Sequence, residues 1–320
     1  MNARGDLMYP LKLKPIYDKT IWANDRLTKL RGIEEKGLGT CWEITAHPYA
    51  QNEILNGEYQ GMTLSELIEQ KEHEVLGVHP WKKMLRLAYL DAKEDLSIQV
   101  HPYDEYAVEH ENDNGKTESW YVLDADEGAT LVAGTLTDDP EVIRKAIEDE
   151  TLEKYLRKVP IQAGDFIYIN AGMLHALGAG IFAIEVGTNS NTTYRFYDYG
   201  RKDENGNGRP LHLEKSFDVV DLTLSSEKIA NPIGNFEKNS EKVLADSDEF
   251  QVILYDIADE MTFDTEGKDF HCLSFVCNDA EIVYNGTRTA VSYTENILIP
   301  AACGTYTIKG KCRVLKSIVK

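Results

Sequence analysis

The chain has 320 residues, 42% of them hydrophobic, and its 34 Lys and Arg against 54 Asp and Glu give a formal charge of −20. That length and apolar content suit one large domain or two ordinary ones and exclude wholesale disorder. The acid excess excludes nucleic acid and anionic membrane as partners, because both call for basic surfaces, and taken alone it disfavours any anionic small molecule. No apolar run of about 18 residues is present to span a bilayer. The opening MNARGDLMYPLKLKP lacks the apolar core of a secretory signal, so the expectation is a cytoplasmic protein with a loose leader before Met8. Cys41, Cys272, Cys277, Cys303 and Cys312 form no C-x-x-C pair and lie mostly in apolar, strand-like runs. Free buried thiols are expected of them rather than a disulfide framework or a zinc knot.

In chain order, residues 63–77 predict a helix with Thr63 and Glu66 as a capping box and Gly77 as its stop. LSIQVHP, SWYVLDA and TLVAGT then read as short strands, with DEYAVEHENDNG a polar connection between the first two. Residues 139–158 predict a surface helix with Pro140 near its start, acids in its early turns and Pro160 beyond its end. DFIYINAG, IFAIEVG and TTYRFYDYG return to strands, and a short helical pattern follows His212. After a polar stretch from about Ser225 to Lys242 come FQVILYDI, HCLSFVCN, AEIVYNG, ENILIPA and GTYTIKG. Many short strands with turn signals between them predict jelly-roll or sandwich layers, not a parallel α/β sheet. No G-x-G-x-x-G follows a strand and there is no P-loop, which disfavours nucleotide folds. The polar stretch divides the chain into 1–225, with the helical elements, and a smaller β domain, 226–320.

Three segments carry chemistry. In Gln99-Val100-His101-Pro102, strand alternation puts Gln99 and His101 on one face and Val100 on the other, and Pro102 ends the strand. Glu118, in GKTESWYVL, shares a face with Trp120, opposite Ser119 and Tyr121. The third segment, Gly164 to His175, is a strand followed by a glycine turn that aims His175 back across the sheet. Each residue alone has a plain structural explanation, as do His73, His79, His110 and His271. Two imidazoles and a carboxylate at strand ends together suit Zn, Fe, Mn or Ni, with the Gln99 amide a weaker oxygen ligand.

The Gly164–His175 segment resembles the second motif of the cupin superfamily, with Asn170 where proline is usual and Ala179 where asparagine is usual. Gln99-Val100-His101-Pro102, Gly115-Lys116-Thr117-Glu118, Gly172-x-x-His175 and Tyr194-Arg195-Phe196-Tyr197-Asp198 together resemble the type I mannose-6-phosphate isomerases, in their short bacterial form. The likeness extends upstream to Pro10–Pro15, Ile21-Trp22 and Trp42-Glu43-Ile44, and downstream to Arg209-x-Leu211-His212-Leu213, departing at Ala23-Asn24. It implies a mainly β, cupin-type jelly-roll with a few short helices and a second, smaller cupin-like domain. It implies one zinc ion per chain on Gln99, His101, Glu118 and His175, and no organic cofactor. It also implies catalytic roles for Arg195 and Lys116, and for Glu185 as base, with a histidine or a metal-held water in reserve.

The implied reaction interconverts mannose 6-phosphate and fructose 6-phosphate through a cis-enediol, with a small hexose phosphate as partner and a monomer or small homo-oligomer as the assembly. Two other readings compete: an iron(II) oxygenase on the same two histidines and carboxylate, and a sugar-phosphate sensor without turnover. Arg195 has its own plain alternative, stacking on Tyr197 and Tyr199 as a structural cation. The charge of −20 does not exclude the substrate, because a metal, Lys116 and Arg195 act within a Debye length of about 8 Å while distant carboxylates are screened.

Overall fold

The computed structural model describes residues 8–202 and 206–320, and the expected leader lies outside the described residues. Contacts divide the chain into two compact units, one of Met1–Ile16, Trp42–Leu87 and Ile233–Lys320, the other of Tyr17–Cys41 and Ala88–Pro232. A single cut at 225/226 does not describe this division, because residues 42–87 group with the C-terminal strands.

The unit containing the C-terminus is built on an antiparallel six-stranded sheet. Its order is Leu11–Lys12, Asn296–Ile299, His271–Cys277, Cys312–Val319, Phe250–Ile257 and Ser240–Asp246. A four-stranded sheet, Glu260–Asp264, Thr305–Lys309, Ala280–Tyr284 and Thr287–Val291, meets it through ring contacts such as Tyr255 on Phe263 and His271 on Tyr306. The helix Leu64–Leu76 starts in the expected capping box, with Thr63 accepting from the Glu66 amide and Glu66 from the Thr63 amide. It stops at Gly77, whose φ of 70° is left-handed and would strain a residue with a Cβ. The strand Ser240–Asp246 begins inside what the sequence suggests is a polar stretch.

In the other unit a five-stranded sheet runs Leu156–Pro160, Thr130–Thr135, His175–Ala176, Ile98–Val100 and Tyr194–Tyr197. A second sheet places Phe166–Ile169, Glu118–Ala125 and Ile181–Thr188 side by side in that order. Alternation assigns the core. Leu131 and Ala133 pack with Trp120, Val122, Ile167 and Ile181 between the sheets. Val132, Ile98, Val100, Tyr194 and Phe196 face the other way, against Ile143 and Val219 of two short helices. Trp22 is buried in the inter-sheet core.

Three expectations need correction. The helix predicted over 139–158 spans only Pro140–Glu148, with Asp139 capping the Glu141 amide. Asp149 and Glu150 put negative charge at the negative end of the helix dipole, and Glu150 turns to a φ of 54°. The chain then forms a short 3₁₀ turn and the strand Leu156–Pro160, which pairs with Thr130–Thr135. DEYAVEHENDNG is not merely a connection, since Asp104–Glu111 is helical and Asn112, in the left-handed region, ends it. Finally, the ladder of Tyr194–Tyr197 with Ile98–Val100 shifts register between Arg195 and Tyr197. This irregularity puts Tyr197 with Tyr199 against the helix-side core rather than beside Arg195. Among the described residues no helix is long and apolar enough to cross a membrane.

Candidate metal centre

Register brings the distant segments together. On the five-stranded sheet His175 pairs with Gln99, and Gln99 pairs on its other side with Arg195, so these three form one row across adjacent strands. Ile98 and Val100 belong to the helix-side core, so Gln99 and His101 face inward. Across the gap Glu118 shares its strand face with the core residues Trp120 and Val122. Gly187 lies opposite Glu118 in the ladder, and a Cβ there would come within 3.3 Å of the Glu118 Cβ. Gly172 makes the turn into His175 with a φ of 81°, and any Cβ there would collide with the Tyr103 ring.

His101, Glu118 and His175 are fully buried and offer ligand atoms that all lie within 4.8 Å of one another. His101 Nδ1 donates to the Thr192 carbonyl at 3.0 Å and His175 Nδ1 to the Met173 carbonyl at 2.8 Å. A carbonyl can only accept, so each proton sits on Nδ1 and each Nε2 lone pair is left bare. Those two Nε2 atoms face each other at 3.2 Å, and they lie 3.4 Å and 3.3 Å from the Glu118 carboxylate. Burial, and next the Lys116 charge, lower the His101 pKa to about 3, against the opposing pull of Glu118. Both Glu118 oxygens are sealed from solvent without a well-aligned hydrogen-bond donor. Burial favours the neutral form of that acid, yet the adjacent Lys116 ammonium outweighs it and holds the carboxyl well below its ordinary range. Two unprotonated nitrogens and an ionised carboxylate converge on one point, and the Lys116 ammonium at their side reaches Glu118 and His101 but not His175. The donor set therefore fits a divalent metal of the zinc type.

The other predicted residues take distinct places. The Gln99 amide reaches to 3.4 Å from His175 Nε2, at the edge of the cluster. Lys116, only 4% exposed, places Nζ 2.5 Å from Glu118, 3.2 Å from His101 Nε2 and 3.3 Å from Glu185. Glu185 pairs with Trp120 in the ladder and accepts from its indole N–H at 3.4 Å. Arg195 is held by one hydrogen bond from Nη1 to the Pro210 carbonyl at 2.8 Å, while its buried Nε has no partner. Pro210 follows Arg209, which grips the buried Asp198 carboxylate through two nitrogens at 2.8 and 2.6 Å. Arg201 pairs with the same carboxylate. Burial and the neighbouring Arg209 pull the Arg195 pKa below its usual value, while Asp198 opposes them. Among the described residues Arg195 makes no ion pair and stacks on no ring; the cation over Tyr199 is Arg201.

Sequence reasoning did not find the carbonyls of Thr192 and Met173, nor Gly187. A backbone carbonyl leaves no trace in residue identity, and a glycine opposite a ligand is visible only once the register is known.

Two family profiles match parts of the chain. The family profile described as phosphomannose isomerase type I, catalytic domain, matches residues 11–137, and that described as mannose-6-phosphate isomerase, cupin domain, matches residues 239–319. The chain is 34% identical to a probable mannose-6-phosphate isomerase, GmuF, of Bacillus subtilis, over 97% of this chain and 99% of that protein. It is 34% identical to a mannose-6-phosphate isomerase of Streptococcus mutans, over 96% and 98%. The crystal structure of a Bacillus subtilis mannose 6-phosphate isomerase superposes with a TM-score of 0.88 at 33% identity, covering 96% of this chain and 99% of that one. The expected mainly β, cupin-type architecture is borne out.

Proposed function

The chain belongs to the type I mannose-6-phosphate isomerases, and from that premise we propose that it interconverts mannose 6-phosphate and fructose 6-phosphate on one zinc ion held by His101, Glu118 and His175, with Gln99 at its edge. The observation that carries this reading is the convergence of the three ligand atoms, with both histidines locked in the tautomer that bares Nε2.

Aldose–ketose isomerisation moves a proton between C2 and C1 through a cis-enediol, and its cost is negative charge developing on a sugar oxygen. A zinc ion supplies Lewis acidity that stabilises such charge, an effect worth several kcal/mol. The remaining work falls to side chains. Arg195 lies in the same cross-strand row as Gln99 and His175. Its guanidinium keeps donors free of carboxylate partners, and it is assigned to the substrate's anionic oxygens. Lys116 is bound among Glu118, Glu185 and His101. That position favours moving protons between the sugar oxygens over anchoring a distant phosphate. With Nδ1 of each imidazole on a carbonyl and Nε2 turned to where a metal would be held, the role of base is assigned to Glu185.

Metal analysis coupled to a fructose 6-phosphate readout tests the proposal. The expected result is one zinc per chain, turnover of mannose 6-phosphate that chelation abolishes, and its return on adding zinc. A protein carrying stoichiometric zinc without turnover would sink the reading.

A further inference from the structure

The Thr192 carbonyl that fixes His101 belongs to a loop, and the loop is held by a side chain that takes no part in the site. Asp113 follows Asn112, whose left-handed φ of 52° ends the helix Asp104–Glu111 and turns the chain toward residues 189–192. One Asp113 oxygen, Oδ2, accepts from the Asn191 amide at 3.0 Å and from Thr192 Oγ1 at 2.8 Å, and lies 3.2 Å from Ser190 Oγ, whose single proton has the nearer Asn114 carbonyl at 2.7 Å. The neighbouring Asn114 side chain donates to the Asn189 carbonyl at 2.8 Å. Thr188 Oγ1 donates to the Gly115 carbonyl at 2.8 Å. Asn191 and Thr192 are thus gripped by one carboxylate oxygen, with Ser190 beside it, and Thr192 presents its carbonyl to His101 Nδ1 at 3.0 Å.

We propose that Asp113 is a positioning residue for the metal centre: by holding Asn191 and Thr192 it keeps the Thr192 carbonyl on His101 Nδ1 and so keeps His101 Nε2 bare. The inference rests on reading His101 as a ligand. His175 provides an internal control, because its Nδ1 donates to Met173, two residues away on its own turn, with no link through Asp113. Without Asp113 the loop loses the hydrogen bonds that Asn191 and Thr192 make to a charged acceptor, and the Thr192 carbonyl loses its fixed direction. His101 is then free to place its proton on either nitrogen. Outer partners of this kind typically contribute about ten- to a hundredfold to metal affinity.

The test uses the full chain labelled with ¹⁵N-histidine, as wild type, Asp113→Ala and Asp113→Asn. In metal-free wild type both His101 and His175 should show the Nδ1–H tautomer. In Asp113→Ala, His101 should shift to a tautomer mixture while His175 stays unchanged, and zinc affinity by chelator competition should fall about tenfold or more. Asp113→Asn keeps one acceptor oxygen for the loop and should fall between the two, and it carries both measurements if the alanine variant does not fold. A purely architectural Asp113 would lower the melting temperature and leave the His101 signature and zinc affinity at wild-type values, which overturns the proposal. Failure of the wild type to take up zinc would overturn the metal reading instead, and the tautomer measurement would still decide the part played by Asp113.

Discussion

Two buried histidine clusters, one in each unit, show what separates a ligand site from core. His101 and His175 hydrogen-bond to carbonyls, which can only accept, so their outer nitrogens hold the protons and the inner ones are bare. His271, in the C-terminal strands, instead pairs its Nδ1 with the Tyr306 hydroxyl at 2.8 Å, and a hydroxyl can donate or accept. Its surroundings are aromatic: Lys316 sits over the Tyr255 and Phe263 rings at 5.5 and 5.6 Å, and among the described residues no carboxylate groups with His271 as a candidate metal ligand. The thiols of that unit offer no substitute, since burial pushes Cys303 and Cys312 up to about 12 and keeps them protonated. Burial and a histidine are common to both regions. Convergent lone pairs with an ionised acid belong to one.

The sharpest way to break this contrast is to remove the acid from one cluster and the imidazole from the other. Glu118→Gln should lower zinc affinity by at least about a hundredfold and activity with it. It also strips Lys116 of its closest partner, in a pocket where losing one member of a buried pair costs about 3–5 kcal/mol. His271→Gln should keep one zinc per chain and normal turnover. Metal content and melting curves of both variants decide the matter; zinc loss in His271→Gln would end the distinction.

An effect on turnover without metal loss is expected where the two units differ in how they hold a cation. Arg195 keeps an unpaired Nε beside the ligand row, whereas Lys316 is capped by rings. Arg195→Ala should reduce kcat by about two to four powers of ten with zinc content unchanged, as removal of a transition-state charge partner does. A near wild-type kcat would make Arg195 a structural cation after all.

Strand alternation made much of this legible beforehand. The shared face of Gln99 and His101, the glycine turn before His175 and the capping box at Thr63 are local patterns, and all three recur in the fold. What the sequence did not reveal depends on partners far along the chain. The ladder irregularity after Arg195 moved Tyr197 to the other face. The strand Leu156–Pro160 exists because an edge beside Thr130–Thr135 needed pairing, against a helical pattern in its own residues. Asp113 sits in what reads as a polar connection, and its grip on Asn191 and Thr192 spans 78 and 79 positions. Lys116 follows a glycine in a polar stretch, and its burial beside two carboxylates depends on residues brought in from other strands.

Acid bears on both clusters, since His101 and His271 are each lowered to about 3, and a variant lacking His271 alone isolates the C-terminal share. Burial, then the Lys316 charge, lower the His271 pKa to about 3, with Asp269 and Asp264 opposing. The unfolded chain takes up that proton near 6.5 and the folded one only near 3. Stability from this group is therefore complete above pH 6.5 and declines as pH falls toward 3. By pH 5 the loss amounts to about 2 kcal/mol. Urea midpoints of chelated wild type and His271→Gln at pH 7 and pH 5 measure it. Wild type should lose about 2 kcal/mol more than the variant, and equal losses would show that His271 already carries its proton in the fold.

The least effect is expected from Lys316→Met, and its small size is informative. Burial lowers the Lys316 pKa, so the fold already bears a desolvation cost for that ammonium. Contact with two rings returns about 1–2 kcal/mol. Methionine keeps the unbranched shape, lies on the same rings and needs no water. Stability at pH 7 should therefore change by less than about 1 kcal/mol, with zinc content and kcat as in wild type. At pH 5 the variant should gain on wild type, because removing the cation lets folded His271 take its proton nearer pH 6.5 and shortens the interval over which acid destabilises the fold. A loss of activity in Lys316→Met would mean that the aromatic cluster serves the metal centre, and the two histidine clusters would no longer be independent.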